Sequence, residues 1–319
     1  MTRTIVLAGS PTALGGHFGG MERSPAELRA NGLVAALRAR PGLADAAWRD
    51  AGDAPNDPGW VADDDPRAKN RERIVAYLGR LTAHVAGALG NAAGSASNDA
   101  EAAGVVADPP ALLVVGGDCT THAGAMAGLR RARPGVRLGI VWFDAHGDFN
   151  TPETTPSGNV WGMPFAMLCG RGAPDLLAAC DAPSVREADA ALLGGQVLDE
   201  TESRMLASSG VAQFGAGMLA DPAGLAALTA WARTVAGRVD AWYIAFDLDA
   251  LDAAGGWPVA TPEPGGLSVD DAAAAVRAIA GTGPVAGFGA TAAMLDPADP
   301  AATERVIGAI AVLAEAALA

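Results

Sequence analysis

The sequence predicts an α/β fold: a parallel sheet with helices on both faces, in one domain spanning residues 1–319. Three observations carry this expectation. The runs Ala111–Gly117 (ALLVVGG), Leu138–Asp144 (LGIVWFD) and Ala241–Asp249 (AWYIAFDLD) are continuously apolar, as strands buried on both faces must be. Segments with apolar residues at three- and four-residue spacing lie between the strands, as parallel crossovers require. The chain has 319 residues, 50% of them hydrophobic, so a large core is no difficulty at this length.

Element by element, Thr4–Ala8 (TIVLA) reads as a first strand closed by a Gly-Ser-Pro turn, and it is too short for a signal-peptide core. Ser24-Pro25-Ala26-Glu27 reads as a capping box, with Ser at the cap and Pro at the first helical position. The helix it opens carries Leu28, Leu33 and Leu37. Pro41–Pro66 is rich in Asp, Gly and Pro and is expected as a surface excursion. A helix follows over Asn70–Leu89, with Ile74, Leu78, Leu81 and Val85 on one face. Asn91–Pro110, rich in Gly, Ser, Ala and Asp, is expected as a mobile loop. Strand Ala111–Gly117 then leads to a helix over Thr120–Arg131, and strand Leu138–Asp144 leads to a long loop. Further strands are expected at Gln196–Leu198, Val211–Phe214, Ala241–Asp249 and Val285–Phe288. No internal repeat is visible.

Charge narrows the function. The chain has 36 acidic and 22 basic residues, a net charge of −14. That excess argues against nonspecific nucleic-acid binding and against docking on an anionic membrane, which both need a basic face. Cys119, Cys169 and Cys180 are too few and too irregularly spaced for a disulfide framework, so reduced thiols in the cytoplasm are expected. No apolar stretch approaches the roughly 20 residues of a membrane span. The acid excess says nothing positive about a partner; the small-molecule substrate expected rests on the acids and histidine at the strand ends.

In parallel sheets ligands bind beyond the carboxyl ends of the strands, and acids gather there. Gly116-Gly117-Asp118-Cys119 follows one strand, Asp144-Ala145-His146-Gly147-Asp148 the next, and Asp247-Leu248-Asp249 with Asp252 a third. In extended backbone Asp144, His146 and Asp148 share one side, as do Asp247 and Asp249. Such carboxylates, buried together, would repel one another strongly unless cations neutralised them. Four or five carboxylates and one imidazole suit a pair of divalent ions of the manganese type, which can make a water nucleophilic at neutral pH.

The segments GGDC, DAHGDFNTPETTPSGNVWGMP and AFDLDALD…TPEPGGLS resemble the signatures of the arginase and agmatinase family of ureohydrolases, and the likeness extends over nearly the whole chain. The resemblance implies a three-layer α/β/α fold around one eight-stranded parallel sheet, and a homotrimer or hexamer. It also implies two manganese ions sharing a hydroxide that attacks a guanidinium carbon. Asp144, His146, Asp148, Asp247 and Asp249 fall on five of the six metal-ligand positions, with Asp148 also handling the nucleophile's proton. Asn150, Ser157 and Asn159 match positions that hold an amino acid's α-carboxylate. Asp199 and Glu202 match acids beside its α-ammonium. Glu263 is expected as a loop anchor or as support for the ligands.

Three positions depart from the family pattern. Cys119 stands where the sixth ligand is normally His; as a ligand it would favour zinc or iron over manganese. His122, three residues on, is the weaker substitute. Trp161 replaces a proton-shuttling His and lines the substrate pocket, and Ala292 falls where a guanidinium-binding Glu is expected. The expected function is therefore cleavage of a guanidino or amidino C–N bond on an arginine-like α-amino acid, with a hydroxylated guanidine depending less on the missing shuttle. Two alternatives stay open: hydrolysis of another C–N bond, such as a formimidoyl group or amide, and an inactive binding or scaffold relative.

Overall fold

Continuously apolar strands have no face fit for water, so each must be covered twice. The computed structural model describes residues 3–55, 59–103 and 108–319, with side chains left undescribed over 95–103. In chain order its elements are β1 (Thr4–Ser10), α1 (Ser24–Ala30), α2 (Leu33–Arg38), β2 (Ala47–Asp53) and α3 (Arg71–Ala103). Then come β3 (Ala111–Gly116), α4 (Thr120–Ala132), β4 (Leu138–Asp144), α5 (Pro164–Leu168), α6 (Pro174–Ala179) and β5 (Ala190–Gly194). The last are α7 (Glu200–Ala207), β6 (Ala212–Phe214), α8 (Ala216–Leu219), α9 (Pro222–Ala236), β7 (Ala241–Asp247), α10 (Val269–Ala280), β8 (Val285–Thr291) and α11 (Pro300–Leu318). Among the described residues the strands form one 8-stranded sheet in the order β2-β1-β3-β8-β7-β4-β5-β6, every pair parallel.

The pleat sorts each strand's side chains into two cores. Ile5, Leu7, Leu113, Val115, Val141, Phe143, Ile244 and Phe246 face α1, α2, α9, α10 and α11. Their neighbours Val6, Ala8, Leu112, Val114, Ile140, Trp142, Tyr243 and Ala245 face α3, α4, α5 and α6. Each large side chain so buried contributes about 1.5–3 kcal/mol. The outcome is the three-layer α/β/α architecture expected. No described helix is long and apolar enough to cross a membrane.

Several local expectations are corrected. The Pro41–Pro66 excursion contains edge strand β2, whose exposed sequence AWRDAGD hides it; backbone pairing with β1 makes the strand. Residues 56–58 of that excursion lie outside the described set. The Asn91–Pro110 loop is mostly helix, since α3 continues to Ala103 through residues rich in alanine, the best helix former; residues 104–107 lie outside the described set. The strand expected at Gln196–Leu198 is β5 at Ala190–Gly194, where ALLG is fully buried and pairs with β4. Gly194 and Gly195, both at positive φ, end it. Ser24 does not cap a helix: its hydroxyl donates to the Ala293 carbonyl at 2.5 Å. The single helix expected after it is two, broken at Gly32 with φ 96°.

The strand order decides what meets. β3, β8, β7 and β4 are consecutive neighbours in the centre of the sheet, so residues far apart in sequence converge beyond their carboxyl ends. Behind them His122 is fully buried in the first turn of α4. Its Nδ1 pairs with the Tyr243 hydroxyl and its Nε2 with the Thr291 hydroxyl, both at 3.1 Å. A side chain at Gly289 would come within 2.7 Å of the His122 ring, so only glycine leaves it room. Burial pushes the His122 pKa down to about 3, which keeps the ring neutral.

An unfolded chain takes up this proton near pH 6.5, whereas the folded one resists it. The contribution of His122 is therefore complete above about pH 6.5 and falls toward pH 3, by up to roughly 1.4 kcal/mol per pH unit. Urea unfolding from about pH 7 to about pH 4 should give a steeper loss of stability for the wild type than for His122→Gln. Parallel slopes would show that the ring does not resist protonation.

Candidate metal centre

The acids at the strand ends are arranged by their own backbones. Asp144 closes β4, and its Oδ1 accepts the His146 amide at 2.7 Å. Asp247 closes β7, and its Oδ1 accepts the Asp249 amide at 2.9 Å. These local turns, an Asp side chain binding the amide two residues on, are favoured by Asp wherever a strand must stop. They correct the extended-segment expectation: Asp249 sits in a short 3-10 turn and Asp148 has φ 48°. Turns, not strand alternation, aim the side chains together. Left-handed backbone at a non-glycine residue costs about 1 kcal/mol or more and persists where the surroundings enforce it; here the Asp148 carbonyl is held by the Ala166 amide at 3.1 Å.

The six expected ligand residues do meet. His146 Nδ1 lies 3.2 Å from both Asp144 Oδ1 and Asp249 Oδ2. Asp249 also accepts the Ala145 amide at 3.1 Å and the Thr261 hydroxyl at 2.9 Å. Cys119 Sγ donates to Asp247 Oδ2 at 2.9 Å, and the Trp142 indole donates to Asp144 Oδ2 at 3.1 Å. Two triads could each hold a cation, with ligand atoms mutually within 4.8 Å: Cys119, Asp144 and Asp148, then Asp144, His146 and Asp249. Asp144 belongs to both. His122 belongs to neither.

Electrostatics tests whether these residues fit cations. Burial, reinforced by Asp144 and Asp247, drives the Asp148 carboxyl well above the usual carboxylate range. Burial and the charges of Asp249 and Asp144 do the same to Asp247. Asp144 is pushed up to about 6, first by burial and then by Asp249. Burial works against a charged His146, but Asp144 and Asp249 outweigh it and raise the ring to about 12. The Cys119 thiol is raised by burial and by Asp247, Asp148 and Asp144. Most decisively, Asp148 Oδ2 is buried with no hydrogen-bond partner among the described residues. An orphaned carboxylate oxygen among other acids is costly by itself and well suited to a divalent cation. The donor set of carboxylates, one imidazole and one thiol fits such ions.

The cluster forms the floor of a cavity of about 240 Å³. One wall is apolar, with Met21, Trp161, Ala260 and Ala292; the other is polar, with Asn150, Ser157, Asn159, Asp199 and Glu202. Asn150 Nδ2 donates to Asp199 Oδ2 at 2.6 Å. Asp199 Oδ1 meanwhile caps α7 by accepting the Thr201 and Glu202 amides, both at 2.9 Å. Glu202 accepts the Phe149 amide at 2.9 Å, and burial pushes its pKa up to about 7. Ser157 is exposed at the rim. Ala292 closes the far end at φ 65°, its amide held by the Gly117 carbonyl at 2.7 Å.

Some participants were not read as site residues from the sequence. Thr261 holds Asp249, and Glu263, expected only as an anchor or support, brings Oε1 to 3.7 Å from His146 Nε2; both lie in the TPEPGG segment, so proximity to that motif was the available signal. Trp142 is hidden inside an ordinary core strand and carries no such signal. Lys69 reaches Asn159 Oδ1 at 2.9 Å, and its signal was rarity, since it is the only lysine in the chain.

The sequence profile of the arginase family matches residues 3–314. The chain is similar to the arginase of Bacillus subtilis, 30% identical over 271 residues that cover 84% of this chain and 82% of that protein. It is 35% identical to the arginase of Bacillus caldovelox over 172 residues, 53% of this chain and 56% of the length of that relative. In fold it is similar to the arginase of Entamoeba histolytica solved in complex with L-ornithine, with a TM-score of 0.79, 22% identity and coverage of 98% and 99% of the two chains. With its strand order, ligand cluster and motif positions on the same chain, this protein belongs to the arginase family, whose members are metal-dependent amidinohydrolases.

Proposed function

We propose that the protein is a hydrolase that uses two divalent cations to cleave a C–N bond in the guanidino group of an arginine-like α-amino acid, with a hydroxylated guanidine as its better substrate. The orphaned Asp148 oxygen, in a triad that shares Asp144 with a second triad on the cavity floor, carries this reading. Cys119, Asp144, His146, Asp148, Asp247 and Asp249 would hold the ions, with Cys119 admitting zinc or iron beside manganese. When bound, such a pair makes water nucleophilic at neutral pH and offsets negative charge developing at the attacked carbon.

The residues of the chain supply the rest. Asp148, with its otherwise unpartnered oxygen facing the cavity, receives the proton of the nucleophile and returns it to the leaving nitrogen. Thr261 and the Ala145 amide fix Asp249, and Glu263 orients His146 through its distal nitrogen, the kind of support that tunes a metal ligand. Asn150, Ser157 and Asn159 take the α-carboxylate, while Asp199 and Glu202 take the α-ammonium. Trp161 cannot carry a proton, and Ala292 offers no counter-charge to a guanidinium. Both losses matter least when a terminal guanidine nitrogen bears an electron-withdrawing hydroxyl, which lowers the basicity of the whole group and so its need for a counter-charge. Cytoplasmic trimers or hexamers complete the reading.

Metal analysis of the purified protein should find about two divalent ions per chain. Stripping them with a chelator should lower the unfolding temperature, because ions that bind only the folded state stabilise it. A chain without bound metal and indifferent to chelation would sink the proposal. Cys119→Ala should weaken binding of one ion about tenfold or more, and Cys119→His should move the preference toward manganese.

Turnover should favour arginine hydroxylated on a terminal guanidine nitrogen over arginine itself. Trp161→His should raise arginine turnover, within the roughly 10²–10⁴-fold that one general acid–base group supplies. Equal rates on both substrates would argue against a site adapted to the hydroxylated group.

A further inference from the structure

The polar wall of the cavity has a problem of charge. Asp148, Asp199, Glu202, Asp247 and Asp249 all line the cavity, in a chain of net charge −14. Cations on the floor would neutralise the ligand acids, yet Asp199 and Glu202 remain on the wall that must admit a carboxylate. Asn150 and Ser157 are uncharged and cannot compensate. The lone lysine of the chain lies at this wall.

Lys69 is bound to the cavity wall twice. Its amide donates to the Gly158 carbonyl at 2.8 Å, and its Nζ donates to Asn159 Oδ1 at 2.9 Å. Gly158 has φ 73°, and a side chain there would strike the Asp65 carbonyl at 2.4 Å. The segment before Lys69 therefore presses directly on the loop that carries Ser157 and Asn159. Two neighbouring cations are occupied elsewhere: Arg71 grips both oxygens of Asp175, and Arg73 donates to Asn70 Oδ1 at 2.9 Å.

The ammonium also settles which way Asn159 points. With Oδ1 turned to Lys69, the Asn159 amide nitrogen faces His17 Nδ1 at 3.1 Å. Burial and the nearby Lys69 charge lower the His17 pKa, so that ring is neutral near pH 7 and Nδ1 can accept. One Asn159 N–H is used in this way. The other has no protein partner among the described residues, and Asn159 lines the cavity.

We propose that Lys69 is the specificity-determining cation of the amino-acid end of the pocket: it orients Asn159 to donate to an α-carboxylate and supplies the positive charge that offsets Asp199 and Glu202. This rests on reading the site as one for an α-amino acid. Lys69 acts through Asn159 and through its field, so it is a positioning residue and not a catalytic one.

A matched pair of ligands isolates the effect. L-Ornithine and 1,4-diaminobutane differ only in the carboxylate, and each can be titrated calorimetrically into the manganese-loaded protein. Wild type should bind L-ornithine at least about tenfold more tightly, a difference of about 1.4 kcal/mol. Lys69→Met should erase most of that ratio by weakening L-ornithine without weakening diaminobutane, and Lys69→Arg should retain most of it. Because the chain has one lysine, acetylating the folded wild type and removing the reagent before titration offers a second route that needs no refolding: modification of Lys69, located by mass spectrometry, should lower the L-ornithine preference as Lys69→Met does. An unchanged ratio in Lys69→Met, equal weakening of both ligands, or a wild type without preference overturns the proposal. Turnover reports separately on the proposed hydrolase. A carboxylate preference that depends on Lys69 without turnover sinks only the hydrolytic reading, whereas turnover with a ratio indifferent to Lys69 sinks only this inference.

Discussion

The mutual repulsion of buried carboxylates is the constraint on which the rest of the site depends. Asp144, Asp148, Asp247 and Asp249 are each at most 4% exposed and close enough to shift one another's protonation. No folded chain gathers such groups without compensation. Part of it is visible in the protein: backbone amides, the Thr261 hydroxyl, the Trp142 indole and the His146 ring each take a carboxylate oxygen. Asp148 is left with an oxygen that nothing satisfies. The residual charge is what makes the cluster a candidate cation site.

Rigid neighbours hold this arrangement in place. Asp118, fully buried, accepts the Gly15 amide at 2.8 Å and the Thr120 amide at 3.0 Å, tying the loop after β1 to the start of α4. The Trp161 amide donates to the Gly15 carbonyl at 3.1 Å. A side chain on Gly16 would meet the Trp161 ring at 2.2 Å, so the indole packs against bare backbone. Trp161 is thus an integral part of the cavity wall, packed edge-on against His17 and Phe18. With Met21 and Ala292 it gives the reacting end an apolar side facing the acidic floor.

Cys119, Trp161 and Ala292 form a consistent set. Trp161 and Ala292 each remove a charged or proton-carrying group that the family pattern would place there, Cys119 exchanges an imidazole for a thiol, and all three line one cavity. Fewer such groups mean less stabilisation for a strongly basic guanidinium and its poor leaving nitrogen. A substrate with a less basic nitrogen asks for less. Meanwhile the other wall keeps its polar residues, anchored by Asp199 at the start of α7 and by Lys69 beside Asn159.

The sequence by itself determined the strands that matter and the identity of the acids that cluster beyond them. Buried parallel strands have to be continuously apolar, and an acidic motif after such a strand has few other uses, so Asp144 through Asp148 and Asp247 through Asp249 were legible with their departures. Edge strand β2 was not, because one half-exposed edge of a sheet needs only backbone pairing and imposes no apolar pattern. The extent of α3 was obscured by Gly and Ser that tertiary packing overrides. What only the tertiary structure decided is adjacency. The order β3-β8-β7-β4 brings Cys119 against Asp247 and sets Ala292 opposite them, and local turns swing His146 and Asp148 inward. Pairings such as Lys69 with Asn159 join residues about ninety positions apart, and no local pattern encodes a contact of that range, because its energy is realised only when the whole sheet has formed.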